Sequence, residues 1–225
     1  MNRGYLVSFE GQDATGKTEL LYRVNYALRK RGYETSVVEE FSNSPIGNYL
    51  RELLTRDKFL RMQNDIPTAF SGAMYVIADL YYQDEHEIKP KLNEGKIVLK
   101  ERHIDSLFAC EIPKIRDEYP HITTELLYNW IESVSTHLYI PDLSFLLIVP
   151  EDILIERIRS RGESVSDEDL RVFAEREKIY RRLAEKHKDR IVVFDNNKEI
   201  EKLSLIHISE PTRPLYISYA VFCLK

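Results

Sequence analysis

Residues Tyr5 to Leu20, "YLVSFEGQDATGKTEL", carry three patterns in immediate succession. Tyr5 to Phe9 form a short apolar run, as expected of a strand covered on both faces. Gly11 to Thr18, "GQDATGKT", carry glycines at positions 11 and 16. From there Leu20, Leu21, Val24, Ala27 and Leu28 recur at helical spacing until Gly32, which follows Lys30 and Arg31 as a stop signal. The run "TSVVE" (35 to 39) then gives a second strand, so the unit reads strand, loop, helix, strand.

The loop satisfies G-x-x-x-x-G-K-[ST] in the setting that gives the pattern its physical meaning. Glycines let consecutive backbone N–H groups curl around phosphate oxygens, and the following helix adds the positive end of its dipole. Gly11, Gln12, Asp13, Ala14, Thr15, Gly16, Lys17 and Thr18 are therefore expected to bind the phosphates of ATP. Lys17 should bridge the β- and γ-phosphates, with the Thr18 hydroxyl on Mg²⁺.

Outward from this unit the same alternation continues. Further strands are expected at "KIVLK" (96 to 100), "SFLLIV" (144 to 149) and "RIVVF" (190 to 194). Helices are expected over Pro45 to Thr55, about Thr68 to Asn93, Thr123 to about His137, Glu151 to Ser160 and Asp167 to His187. Such a pattern predicts an α/β fold of the P-loop NTPase kind, a five-stranded parallel sheet with helices on both faces, in one domain over residues 1 to 202. The run "SDEDLRVFAEREKIYRRLAEKHK" reads as a solvated helix with one core stripe.

The 225 residues are 43% apolar and 31% charged, an ordinary globular balance, and the net charge of −5 argues against a surface that coats nucleic acid. No secretory leader and no apolar run long enough to span a membrane is visible, so the cytoplasm is the expected compartment. His86, His103, His121, His137 and His187 show no metal-ligand spacing.

The end of the chain is of a different kind. "LSLIHISEPTR" (Leu203 to Arg213) can be encoded without mismatch by the transposase-end adapter of sequencing libraries, and "ISYAVFCL" (Ile217 to Leu224) resembles the adapter segment that follows. Residues Leu203 to Lys225 are accordingly expected to be a non-native, adapter-derived tail. Cys223 belongs to it, which leaves Cys110 alone and unable to build a disulfide or a thiol-metal site.

"FEGQDATGKTEL", "SPIGNYLRELL", "ERHIDS", "PDLSFLLIVPEDILIERIRSRGE" and "IVVFD" occur in the order and spacing of the thymidylate kinase family, which the chain resembles from about Tyr5 to Lys202. The resemblance implies transfer of the γ-phosphate of ATP to a nucleoside monophosphate, typically dTMP giving dTDP, by a homodimer. It places Arg51 on the acceptor's 5′-phosphate and Arg102 between donor and acceptor phosphates, where a guanidinium stabilises charge on the transferring group. Ser106, in "ERHIDS", falls on the acceptor side. Glu10 falls where the family keeps a glutamate beside the phosphates, a helix-capping acid being the alternative. Arg157, Arg159 and Arg161 fall in the segment that resembles the family's lid over ATP. Arg157 and Arg161 share a helical face, and Ala14 stands where one branch of the family has an arginine.

Other positions depart from the pattern. Glu101 stands where the family usually has Asp, still able to reach Mg²⁺ through a water. Glu-Arg is also the spelling of deoxynucleoside kinases, in which the glutamate takes the proton of the 5′-hydroxyl. The stacking Phe and base-reading Arg of the family fall on Val76 and Leu80, and its Tyr-Gln pair on Cys110 and Glu111. Tyr75, Tyr81 and Tyr82 offer either another aromatic surface or a core and dimer face. Three readings follow: a nucleoside monophosphate kinase, which Arg51 and His103 favour; a deoxynucleoside kinase; and a nucleotide-binding protein without transferase activity.

Overall fold

The computed structural model describes residues 3–57, 60 and 69–196. Strand β1 (Tyr5–Gly11) occupies the middle of the sheet, and every residue in it after Tyr5 is buried. It pairs in parallel with β3 (Ile97–Glu101) on one side and β4 (Leu143–Ile148) on the other. Outer strands β2 (Thr35–Val38) and β5 (Ile191–Asp195) complete a five-stranded parallel sheet in the order β2-β3-β1-β4-β5. All five expected strands form, each within a residue or two of its expected bounds.

Because side chains alternate across a strand, Val7 and Phe9 turn to one face and Leu6, Ser8 and Glu10 to the other. Val7 and Phe9 join Leu99, Phe145 and Leu147 against Leu21, Val24 and Leu28 of helix α1 (Lys17–Lys30). Each such side chain, fully buried, contributes about 1.5–3 kcal/mol. The opposite face carries a polar seam: Ser8 Oγ donates to Ser144 Oγ (2.8 Å) and Ser144 Oγ to Asp105 Oδ2 (3.0 Å). Arg190 closes the seam with one 2.7 Å bond to each Asp105 oxygen.

Helix α2 (Pro45–Arg56) begins where Ser44 Oγ accepts from the Gly47 N–H at 3.1 Å and Pro45 presets the first turn. The long helix expected to Asn93 runs as α3 (Ala69–Gln83), a π-helical turn at Asp84–Ile88, and α4 (Lys89–Asn93). The wide turn ends two residues before Pro90, which has no N–H to continue the ordinary ladder. Thr68, the expected start, lies outside the described residues, as do Leu203 to Lys225.

One helix was not expected from the sequence. Helix α5 (Ile104–Glu118) has eleven buried residues of fifteen and Pro113 in its interior. Burial on most sides leaves no polar face to mark its period. Helices α6 (Thr124–Val134), α7 (Glu151–Ser160) and α8 (Asp167–Lys186) follow the expected segments. A reciprocal cap between Ser166 and Asp169 starts α8. Among the described residues no helix is long and apolar enough to cross a membrane.

The chain passes from β1 outward to β2, back through β3, and then to β4 on the other side, so the strand order reverses at β1. The crevice beyond the carboxyl end of β1 is where such a sheet binds ligands.

Candidate active site

The loop after β1 is fixed by backbone geometry. Gly11 has φ 130° and Gly16 φ 92°, both in the region that favours glycine. A Cβ at Gly11 would collide with the Leu147 carbonyl, and one at Gly16 would stand 2.6 Å from Asn196 Nδ2. Ala14, at φ 59°, also takes the left-handed conformation. Thr15 Oγ1 donates to the Gln12 carbonyl at 2.8 Å, and Gln12 Nε2 donates to the Phe173 carbonyl.

A clasp that the sequence did not reveal holds the loop from the β5 side. Asn196 Nδ2 donates to the Thr15 carbonyl (2.8 Å), while Arg157 donates to the Asn196 carbonyl (2.9 Å) and the Ala14 carbonyl (3.5 Å). Arg157 therefore supports the loop, Arg161 lines the cavity described below, and Arg159 points to solvent.

Lys17 is buried and its ammonium folds back onto the Gln12 carbonyl at 2.8 Å. Burial, then the Arg102 charge, lowers its pKa to about 8. Thr18 Oγ1 lies 2.8 Å from Glu101 Oε1, so the hydroxyl and the carboxylate expected at the metal do converge.

Arg102 is the hub. Its φ of 52° is rare for a bulky residue, and its N–H is held by the Phe9 carbonyl at 3.0 Å. Its guanidinium meets Asp13 Oδ1 (2.6 Å), Glu40 Oε1 (3.3 Å) and the Tyr180 hydroxyl (3.3 Å). Burial opposes the charge, but Asp13 and Glu40 more than offset it, and the pKa rises well above the usual arginine value. Burial likewise works against the Asp13 carboxylate, yet Arg102, Lys17 and Arg176 hold it well below the usual range.

Beyond Arg102 opens a cavity of about 250 Å³. Asp13, Glu40, Arg102, Arg161 and Arg176 line its polar end, and Ser106, Cys110, Glu111 and Lys114 bring one face of α5 to it. Val76 and Leu80 line the wall as apolar side chains. None of the three tyrosines reaches that wall. Tyr75 packs edge-on to Tyr49 at 5.6 Å, Tyr82 lies 4.4 Å from His86, and the Tyr81 hydroxyl donates to the Val134 carbonyl at 3.0 Å.

Two expected acceptor residues stand outside the cavity wall. The Glu10 carboxylate accepts from the backbone N–H groups of His103 (3.0 Å) and Ser106 (3.1 Å) and from the Ser106 hydroxyl, so it caps α5. Burial and the nearby Asp105 raise its pKa. Glu10 meets the cavity through His103 and Ser106, and the Ser106 oxygen also lies 2.8 Å from the Tyr180 hydroxyl. Arg51 gives its guanidinium to the carbonyls of Phe41 and Ser42 (2.6 Å each) and to Asn43 Oδ1 (2.9 Å) and Asn48 Oδ1 (2.8 Å). Four converging oxygens hold it against the loop after β2, of which Phe41 is part of the wall.

Helix α8 carries the one core stripe expected of it, and Arg176 and Tyr180, four residues apart, both turn inward to the site from that stripe beside Phe173 and Leu183. The missed signal was that an arginine lay within the apolar period. His103 is buried, with Nε2 2.8 Å from the Tyr139 carbonyl, and burial pulls its pKa down to about 4. A carbonyl can only accept, so Nε2 carries the hydrogen of a neutral ring. Among the described residues no cluster of His, Cys, Asp and Glu could hold a metal without other ligands.

The family model described as Thymidylate kinase matches residues 9–205. A thymidylate kinase of Sulfurihydrogenibium sp. is 26% identical over 212 residues, covering 90% of this chain and 94% of its relative. A probable thymidylate kinase of Caldivirga maquilingensis is 31% identical over 156 residues, 69% of this chain and 68% of the other. Among solved structures, a thymidylate kinase of Candida albicans superposes with a TM-score of 0.67 at 19% identity, over 88% of this chain and 85% of that one, which shows the common fold. With its phosphate cradle, its parallel sheet and its match from the first strand to beyond the last, the chain belongs to the thymidylate kinase family, a family of ATP-dependent phosphotransferases.

Proposed function

We propose that the enzyme transfers the γ-phosphate of ATP to dTMP, giving dTDP and ADP. The observation that carries this reading is the placement of Arg102. Its guanidinium touches Asp13 of the cradle and lines the acceptor cavity, so one fixed cation faces both substrates. Gly11 to Thr18 bind the donor phosphates, Lys17 lies against the phosphates that part, and Arg161 and Arg176 add positive charge at the junction. Tyr180, Asp13 and Glu40 hold the Arg102 fork in place, which limits reorganisation during transfer.

The donor set at Thr18 and Glu101 fits Mg²⁺. A hydroxyl and a carboxylate are hard oxygen ligands, and an ion bound by few protein groups completes its shell with phosphate oxygens and water. When bound, Mg²⁺ would neutralise charge on the donor phosphates. The geometry favours this role for Glu101 over that of a base for a 5′-hydroxyl: its carboxylate meets Thr18 on the cradle side and is not part of the cavity wall. Arg51 serves the acceptor by clamping the Phe41–Asn43 loop.

The same reading places a homodimer contact on the outer face of α3, where Met74, Tyr75 and Tyr82 are exposed. It also places the enzyme in the cytoplasm and takes residues 1–202 as the native domain.

Substitution separates the monophosphate reading from the nucleoside reading. Arg51→Ala should raise the KM for dTMP by about tenfold, and Glu101→Gln should lower kcat with little change in that KM. A thymidine-dependent rate that is lost in Glu101→Gln and untouched in Arg51→Ala would overturn the proposal.

A further inference from the structure

Lys100, the last residue but one of β3, is wholly buried. Ile97 and Leu99 turn toward α1, so the alternation of the strand turns Lys100 to the opposite face of the sheet, where Ser8 of the polar seam is its register partner. An ammonium has three N–H donors and accepts nothing. Those of Lys100 go to three backbone carbonyls, of Glu39 (2.6 Å), Glu40 (2.9 Å) and Glu101 (3.0 Å). Burying a charge is costly, and an apolar side chain of similar length would fill the space without that cost. It would not bind the carbonyls.

The places of those carbonyls give the contact its meaning. The Glu101 carbonyl and the Arg102 N–H belong to one peptide group. The Phe9 carbonyl accepts from the N–H at 3.0 Å and Lys100 donates to the carbonyl, so the peptide is held from both sides. It leads into Arg102, whose φ of 52° a bulky residue keeps only where its surroundings fix it. Glu39 and Glu40 directly follow β2, and the Glu40 carboxylate lies 3.3 Å from Arg102 Nε. The Glu39 carbonyl also accepts from Gln83 Nε2 of α3 at 2.9 Å, which ties a third element to the same point.

We infer that Lys100 is a positioning residue for phosphoryl transfer: its three hydrogen bonds set both the backbone of Arg102 and the Glu40 segment that steadies the Arg102 guanidinium. Lys100 acts through Arg102 and not on a substrate itself. The inference rests on Arg102 standing between the two substrates, as in the proposed reaction. A cation that meets the transferring phosphoryl has to be in place beforehand, and slack of about 1 Å can cost about a hundredfold in rate.

The test is a double-mutant cycle on dTDP formation from dTMP and ATP, with wild type, Lys100→Met, Arg102→Ala and the double variant. Methionine keeps the length of the side chain and removes the donors and the charge. Lys100→Met should lower kcat by about tenfold or more, with the KM for ATP within about twofold. In the Arg102→Ala background the same change should alter kcat by less than about twofold, whereas a merely structural lesion would slow both backgrounds alike. If Lys100→Met does not fold, Lys100→Gln, whose amide can still donate to two of the carbonyls, takes its place in the cycle with an expected loss of about threefold or more. A folded Lys100 variant of near-normal kcat, or one that loses as much without Arg102 as with it, overturns the inference alone. So does failure of both Lys100 variants to fold, which would make Lys100 a residue of the fold and not of the reaction. Wild type that gives no dTDP overturns the proposed reaction, and an Arg102→Ala variant of undiminished kcat overturns the role given to Arg102; in either case the inference falls with it.

Discussion

The two ends of the site are built differently. At the cradle end, position is set by the backbone: Gly11, Ala14 and Gly16 at positive φ, carbonyls clasped by Asn196 and Arg157, and a lysine folded onto its own loop. At the acceptor end, position is set by side chains from four helices, with the loop after β2 held in place by Arg51. A backbone cradle suits a ligand part that is always the same, a chain of phosphates. Packed side chains allow the base and sugar to be chosen by substitution without touching the chemistry. The contrast predicts that lesions at the cradle end strike turnover, whereas lesions at the acceptor end strike affinity and choice.

The largest effect should come from the cradle. Lys17→Ala removes a preorganised charge from the transferred phosphoryl and should lower kcat by about a hundredfold or more, with the circular dichroism spectrum retained. A folded variant of near-normal rate would break the contrast at its stronger side. The tenfold rise in acceptor KM expected of Arg51→Ala is the counterpart at the other end, and an equal loss in kcat there would blur the two ends into one.

Between them lies His103, which lines the cavity and follows Arg102. Its folded pKa is about 4 against an ordinary 6.5. The unfolded chain therefore takes up a proton that the folded chain refuses. The stability this ring confers is complete above pH 6.5 and is lost as the pH falls toward 4, by about 3 kcal/mol in all. Denaturant midpoints measured across that window should fall for the wild type and fall less for His103→Gln.

The smallest effect sharpens the boundary of the domain. If, as we propose, residues 1–202 are the native domain, removal of Leu203 to Lys225 should leave kcat and Tm unchanged within error. A clear drop in either would show the tail to be a working part of the chain.

The same contrast explains what could be read from the sequence. The cradle is contiguous, so Gly11 to Thr18 announced both its fold and its chemistry, and all five strands were legible as apolar runs. Glu101 and Arg102 were legible because they directly end one of those strands. The acceptor wall was not, since it is assembled from positions scattered over α2, α3, α5 and α8. Helix α5 hid behind burial on most sides and Pro113. Arg176 hid inside the core stripe of α8: the stripe was legible, but not that one of its members is an arginine turned to the site. For Glu10 the helix-capping alternative is what the carboxylate does, accepting from the first turn of α5. The four oxygens that hold Arg51 beside the loop after β2 could not be read from sequence order, because they come together only in three dimensions.

In the proposed enzyme a phosphate cradle and a monophosphate-accepting cavity meet at Arg102. This is tested most directly by incubating the protein with ATP and Mg²⁺ and, separately, each deoxy- and ribonucleoside monophosphate and each nucleoside, and separating the products. The expected result is dTDP and ADP in equal amounts from dTMP, with no product from thymidine. Phosphorylation of thymidine or deoxycytidine, with no monophosphate consumed, would contradict it.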